Sequence, residues 1–140
     1  MKSGLTLSIA MASAMFAGPA QATDPAKGEA DFKRCKACHA ITAADGTDIQ
    51  KGGKTGPNLF GVIGRPVGSL DGFKYGSSLV AAGEAGIVWD EENLAEYIED
   101  PNAWLKEVLD DPQAASKMTY KHRKGAEDMA AYLASAGGDT

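Results

Sequence analysis

Residues 34–39, Arg34-Cys35-Lys36-Ala37-Cys38-His39, hold both cysteines of the chain and one of its two histidines. Three chemistries crowd such side chains together: a disulfide, a metal site, or covalent attachment of a haem. A structural zinc site wants four ligands. Outside the cluster only His122 remains as a soft donor, and Cys38 and His39 are adjacent, so the backbone points them apart. A thioredoxin-like dithiol needs a βαβ setting, and no segment alternates as a convincing strand. A structural disulfide between residues three apart would close a tiny loop and stabilise little. C-x-x-C-H is the attachment pattern of a c-type haem. Two thiols add across the two vinyl groups on one edge of the macrocycle, and the next residue is held under the iron, where imidazole is a strong ligand. The stretch therefore predicts one covalently attached haem c on Cys35 and Cys38, with His39 as an axial ligand of the iron.

The first residues agree with that chemistry. Lys2 precedes the apolar run GLTLSIAMASAMFAG, and Ala20-Gln21-Ala22 is an A-x-A cleavage pattern. This predicts a secretory signal peptide over residues 1–22, since the run falls short of the roughly 20 residues a membrane span needs. Residues 23–140 are then expected to form one exported domain, located in a bacterial periplasm. The chain of 140 residues carries a formal charge of −5 and no basic-aromatic pattern, which argues against nucleic acid as a partner.

Local signals predict an all-α class. Asp24 and Pro25 open a helix running toward Cys35. Residues 42–72 carry eight glycines, a density that predicts a long irregular segment wrapped around something. Asp90 caps a helix with Leu94, Tyr97 and Ile98 on one face, and Pro101 starts the next, where Trp104, Leu105 and Val108 cluster. Residues 112–122 are expected to be a loop. A last helix sets Met129, Tyr132, Leu133 and Ala136 on one side and stops at Gly137 and Gly138. The apolar inventory is thin for a core, as expected where a haem supplies part of it.

For the second axial position the residues alone leave Met118, Met129 and His122. Met129 sits on an apolar helix face, where methionine is usually a core filler. His122, between Lys121 and Arg123, is expected on the solvated surface. Met118 is a lone apolar side chain in the polar loop ASKMTYKH.

With these residues in view, the chain resembles the class I c-type cytochromes, and closely their bacterial cytochrome c2 branch, over nearly all of residues 23–140. KGEADFKRCKACH resembles the family's N-terminal helix, with Gly28 and Phe32 where it packs against the C-terminal helix near Tyr132. KTGPNLFGVIGR is similar to the loop beneath the histidine, which implies that the Pro57 carbonyl accepts a hydrogen bond from His39. Arg65, Tyr75 in GFKY and Trp89 in GIVW match positions that bond the haem propionates. Tyr97 matches the tyrosine beside the methionine sulfur, and SKMTY matches the ligand loop, making Met118 the axial ligand. Ser116 and Tyr120 stand where many relatives carry threonine and phenylalanine. The segments GSSLVAAGEAG and LKEVLDDPQAAS are longer than in mitochondrial relatives.

The resemblance implies a cytochrome c fold, helices and long loops around one haem, and a soluble, monomeric electron carrier with no enzymatic activity. Its expected donor is a quinol-oxidising complex (quinol–cytochrome c oxidoreductase), and its acceptor a photosynthetic reaction centre or a terminal cytochrome oxidase. Charge along the chain adds an expectation about docking. Residues 84–111 carry ten acids against Lys106 alone, whereas residues 113–125 carry Lys117, Lys121, Arg123 and Lys124 and no acid. A basic face around the haem edge is expected to meet these membrane complexes. Two alternatives remain at this point: a haem enzyme that frees its sixth position, and a fixed subunit of a larger enzyme.

Overall fold

The computed structural model describes residues 22–138. The expected signal peptide, apart from Ala22, lies outside the described residues. Five helices run in chain order: α1 Pro25–Asp31, α2 Ser77–Glu84, α3 Glu91–Glu99, α4 Pro101–Val108 and α5 Ala126–Ala136. Their ends follow from side-chain chemistry. The Asp24 carboxylate accepts from Ala26 N and Pro25 occupies the first turn of α1. Asp90 and Asn93 cap each other's backbone at the start of α3. Asp100 closes α3 and caps α4, accepting from Ala103 N at 3.2 Å. None of these helices is long and apolar enough to cross a membrane.

α1 and α5 cross so closely that no side chain fits at the crossing. A Cβ on Gly28 would overlap the Asp128 carbonyl and stand 2.7 Å from Tyr132 Cβ. Next to this contact Phe32 meets the Tyr132 ring edge-on, centroids 6.0 Å apart. α3 packs on α5 and α4 on α3, and Leu94, Ile98, Leu105, Met129 and Leu133 are buried between them. Trp89, Tyr97 and Trp104 form an aromatic cluster with centroids 5.1–5.5 Å apart, so Trp104 is core, as its position in the sequence predicts.

Four local features depart from expectation. A two-stranded antiparallel hairpin, β1 Ile41–Thr42 with β2 Asp48–Gln50, stands where no strand was expected. Strands of two and three residues are too short to alternate visibly, and the hairpin is held by its turn, where Gly46 takes φ +86°. The helix predicted to run to Cys35 tightens into a 3₁₀ turn at Phe32–Arg34. Helix α2 was not anticipated, because its N-cap is Gly76, which offers no side-chain acceptor. The glycine-rich segment is also more ordered than a plain wrap, since Trp89 N donates to Arg65 O and Val67 N to Ile87 O at 2.9 and 3.0 Å.

Candidate haem site

Backbone bonds from Cys35 N to Phe32 O and from Cys38 N to Cys35 O, 2.8 and 3.1 Å, continue the i→i−3 pattern into the C-x-x-C-H stretch, and His39 N closes it on Cys35 O at 2.9 Å. Cys35, Cys38 and His39 thereby come to line one cavity of about 620 Å³. Three glycines let the following loop lie directly against that turn. A Cβ on Gly52 would overlap the His39 carbonyl, and one on Gly53 the Ala37 carbonyl. One on Gly56 would stand 2.6 Å from His39 Nδ1 and 2.7 Å from Nε2. Glycine density alone did not reveal its object, but the resemblance of KTGPNLFGVIGR to a loop beneath the histidine did, and Gly56 lies against His39.

The loop then fixes the imidazole. His39 Nδ1 lies 2.8 Å from the Pro57 carbonyl oxygen, which can only accept. Nδ1 therefore carries the proton, and the Nε2 lone pair is left for a metal. Burial holds the His39 pKa below its ordinary value, with the Pro57 bond opposing, so the ring is kept neutral and able to ligate. Burial, with Asp31 and Cys38 adding, pushes the Cys35 thiol up to about 11. A free Cys35 is thus a neutral, weakly nucleophilic thiol at pH 7.

Met118 lines the same cavity, eighty residues further along the chain. Its loop is pinned to three helices. Ala115 N donates to Ser78 Oγ of α2 at 3.1 Å, and Ser116 N to Asn102 Oδ1 of α4 at 2.8 Å. Met118 N donates to Ser116 Oγ at 3.0 Å, and that hydroxyl lies 2.7 Å from Tyr97 Oη of α3. Tyr97 is buried, which raises its pKa against the opposing pull of the Ser116 bond, so its hydroxyl is neutral. Ser78 and Asn102 carried no sequence signal as site residues, because each acts here through one backbone amide.

The remaining expected residues are also brought to the cavity. Tyr75 and Trp89 line it, and neither Tyr75 Oη nor Trp89 Nε1 has a side-chain hydrogen-bond partner among the described residues. Arg65 lines it too, but two of its donors clasp the Asn58 and Phe60 carbonyls at 3.1 and 2.6 Å. Its guanidinium has five donors, so the clasp leaves others free. Elsewhere the lining is apolar, with Leu59, Val62, Phe73, Leu79, Leu94, Ile98 and Leu133. Arg34, Lys74 and Lys117 join Arg65 as its cations, and no carboxylate lines it.

Two surface expectations need correction. His122 is not solvated: it is 4% exposed and lines the cavity. Its amide donates to Ile98 O at 2.7 Å, which draws the backbone under α3 and turns the side chain inward between exposed Lys121 and Arg123. Lys121 is not a free rim charge. Its ammonium is 2.6 Å from Asp100 Oδ2, and this bond holds the Asp100 carboxyl below its ordinary pKa.

No family model matches the chain. Over 135 residues it is 54% identical to cytochrome c2 of Rhodobacter capsulatus, covering 96% of this chain and 98% of that protein. The chain belongs to the cytochrome c2 family. It is also 47% identical over 145 residues to cytochrome c-550 of Paracoccus denitrificans, covering 99% and 94% of the two chains. The crystal structure of cytochrome c2 from Paracoccus denitrificans superposes with a TM-score of 0.80 at 50% identity, over 83% of this chain and 98% of that one. The fold is the cytochrome c fold, the protein is an electron carrier and not an enzyme, and its cofactor is one haem c.

The cavity fits that group. Its volume lies within the roughly 300–1,000 Å³ of cofactor pockets, and like them it is mostly apolar with a few placed polar groups. The absence of a side chain at Gly56 makes room for the imidazole, and Tyr75 and Trp89, which have no side-chain hydrogen bond among the described residues, line the cavity.

Proposed function

We propose that Cys35 and Cys38 hold the haem by thioethers and that His39 and Met118 are its two axial ligands. The observation that carries this is the common cavity, where the C-x-x-C-H turn and a methionine distant in sequence line one apolar space. Pro57 fixes the His39 tautomer, Tyr97 and Ser116 position the Met118 backbone, and Tyr75, Trp89 and the free donors of Arg65 meet the propionates. When bound, the haem supplies an iron that takes up and releases one electron. Histidine–methionine ligation raises its potential. The apolar lining excludes water and favours the less charged, reduced state.

We infer further that the mature chain, residues 23–140, is a soluble periplasmic monomer released from its signal peptide after Ala22. It takes electrons from quinol–cytochrome c oxidoreductase and passes them to a photosynthetic reaction centre or a cytochrome oxidase. Arg34, Lys74 and Lys117 at the cavity, with no carboxylate among its lining residues, support docking through a basic rim. Such charge steers encounter more than it tightens binding.

Met118→Leu tests the ligand set. It should abolish the sulfur-to-iron charge-transfer band, admit added cyanide and lower the potential, while Met129→Leu leaves the band in place. A wild-type spectrum typical of two imidazoles would overturn the assignment. Intact mass after denaturation should exceed the chain by one haem, and loss of haem on acid–organic extraction would refute the thioethers.

A further inference from the structure

Among the buried side-chain nitrogens and oxygens of the described residues, His122 Nε2 has no hydrogen-bond partner. Such an atom normally finds one, because burying it bare costs free energy. The imidazole lines the haem cavity beside Met129 and Leu133, where an apolar residue would carry no such penalty. Its other nitrogen is engaged: Nδ1 lies 3.2 Å from Tyr120 Oη, on a residue 39% exposed, which links the ring to solvent.

Nε2 and two carboxylates all border the backbone at Gly125. The position a Cβ would take on Gly125 is 3.9 Å from Nε2, 3.7 Å from Asp31 Oδ2 and 3.8 Å from Asp128 Oδ2. These carboxylates come from the end of α1 and the first turn of α5, and each is anchored elsewhere. Asp128 Oδ1 accepts from Asp24 N at 2.7 Å, and Asp31 lies 4.0 Å from Arg34. From its own loop the ring is flanked by Tyr120 and by the exposed cations Lys121 and Arg123, Lys121 being paired with Asp100. α3 presents the Ile98 carbonyl, which the His122 amide occupies.

We propose that His122 is a proton-binding site coupled to the electron carried in the cavity. Imidazole is the side chain whose ordinary titration falls between about pH 5 and 8. In the imidazolium both nitrogens are donors, Nδ1–H toward Tyr120 Oη and Nε2–H toward the space shared with Asp31 and Asp128. An electron added to the cavity adds one negative charge beside the ring and tips the balance toward protonation. On reduction the redox partner supplies the electron, solvent supplies the proton, and one N–H bond forms at Nε2. Oxidation returns both.

This rests on the reading that the cavity houses the haem, and the test separates the two. The midpoint potential of the holoprotein is measured by spectroelectrochemistry from pH 5 to 9, for wild type, His122→Leu and His122→Gln. The visible spectra, which report haem attachment and ligation, should be alike in all three. Wild type should lose potential with rising pH, with a limiting slope of about 59 mV per pH unit, a tenfold change per unit for one electron. Both variants should lose that slope over the imidazole range. In NMR titrations of wild type, the His122 ring protons should shift at a higher pH in the reduced state than in the oxidised. An equal slope in wild type and variants, or one His122 titration for both oxidation states, overturns the proposal and leaves the haem reading intact. A protein without covalent haem would instead overturn the haem reading.

Discussion

Gly56→Ala places a methyl group where the imidazole of His39 stands, 2.6 Å from Nδ1 and 2.7 Å from Nε2. An ordinary carbon contact needs about 3.5–4.0 Å, so ring and loop must part by about 1 Å. Neither is free to move. The ring is tied to the Pro57 carbonyl at 2.8 Å, and the loop is tied by Gly56 N to the Cys38 carbonyl at 2.7 Å. Relief breaks one of these bonds, which leaves a half-buried polar group unpaired at about 1–3 kcal/mol. Overpacking in general costs a similar ~1–3 kcal/mol. Against this, replacing glycine stiffens the unfolded chain and returns roughly 0.4–1 kcal/mol, since Gly56 is not among the positive-φ glycines. The net expectation is a loss of about 2 kcal/mol. With a urea slope of about 2 kcal/mol per molar, the midpoint should fall by about 1 M, followed by fluorescence of Trp89 and Trp104 on the holoprotein. The visible spectrum should shift as well, because the ring is displaced from the pose in which we propose it ligates the haem iron. Gly76→Ala is the control, its Cβ meeting only the flexible Lys117 side chain at 3.3 Å. A Gly56→Ala protein with wild-type midpoint and spectrum would refute the close-approach argument.

Lys117→Glu removes a cation at the cavity and should slow electron transfer with the membrane partners at low salt, the difference shrinking as the Debye length falls toward about 8 Å at physiological ionic strength. A stopped-flow rate indifferent to salt in wild type would sink the basic docking face. Asp100→Asn keeps the cap of α4, since asparagine caps as well as aspartate, but frees Lys121, so encounter should quicken at low salt. The same variant has a signature in acid: a depressed carboxyl pKa contributes stability above the ordinary value of about 4 and loses it as pH falls through the folded value. The wild-type advantage over Asp100→Asn in thermal melts should therefore be present at pH 6 and vanish at the acid end. An advantage that grows with acid would contradict the sign.

Helices α3, α4 and α5 were legible because local chemistry and tertiary packing agree there. Asp90, Pro101 and Gly137 punctuate runs whose apolar faces do become core. The hairpin and α2 were illegible because their stability comes from elsewhere. β1 is held to the loop by Asn58, whose amide bonds Thr42 O and accepts from Thr42 N. α2 lies over a glycine contact, Gly83 against the Val67 carbonyl. At the site, C-x-x-C-H could be read because one turn of backbone sets all three side chains. The burial of His122 could not, since its neighbours are Lys121 and Arg123 and only the distant Ile98 carbonyl turns it inward.

The charge pattern shows the same limit from the other side. A sequence count makes residues 113–125 uniformly basic, yet the Lys121–Asp100 pair adds no net charge to the rim. What remains of that segment at the cavity is Lys117, held by its own ammonium bond to the Lys74 carbonyl at 3.2 Å, with Lys74 also lining the space, whereas Arg34 is paired with Asp31. A carbonyl acceptor orients an ammonium without cancelling its charge, whereas a carboxylate does both. Asp100 thus serves the Met118 loop at the expense of the rim. It fixes the chain just after Met118, at Lys121, so that Met118 is braced on both sides, by Ser116 on Asn102 and by Lys121 on Asp100. In an acidic chain, the cations that remain unpaired at the cavity are therefore the ones able to orient it toward a negatively charged partner.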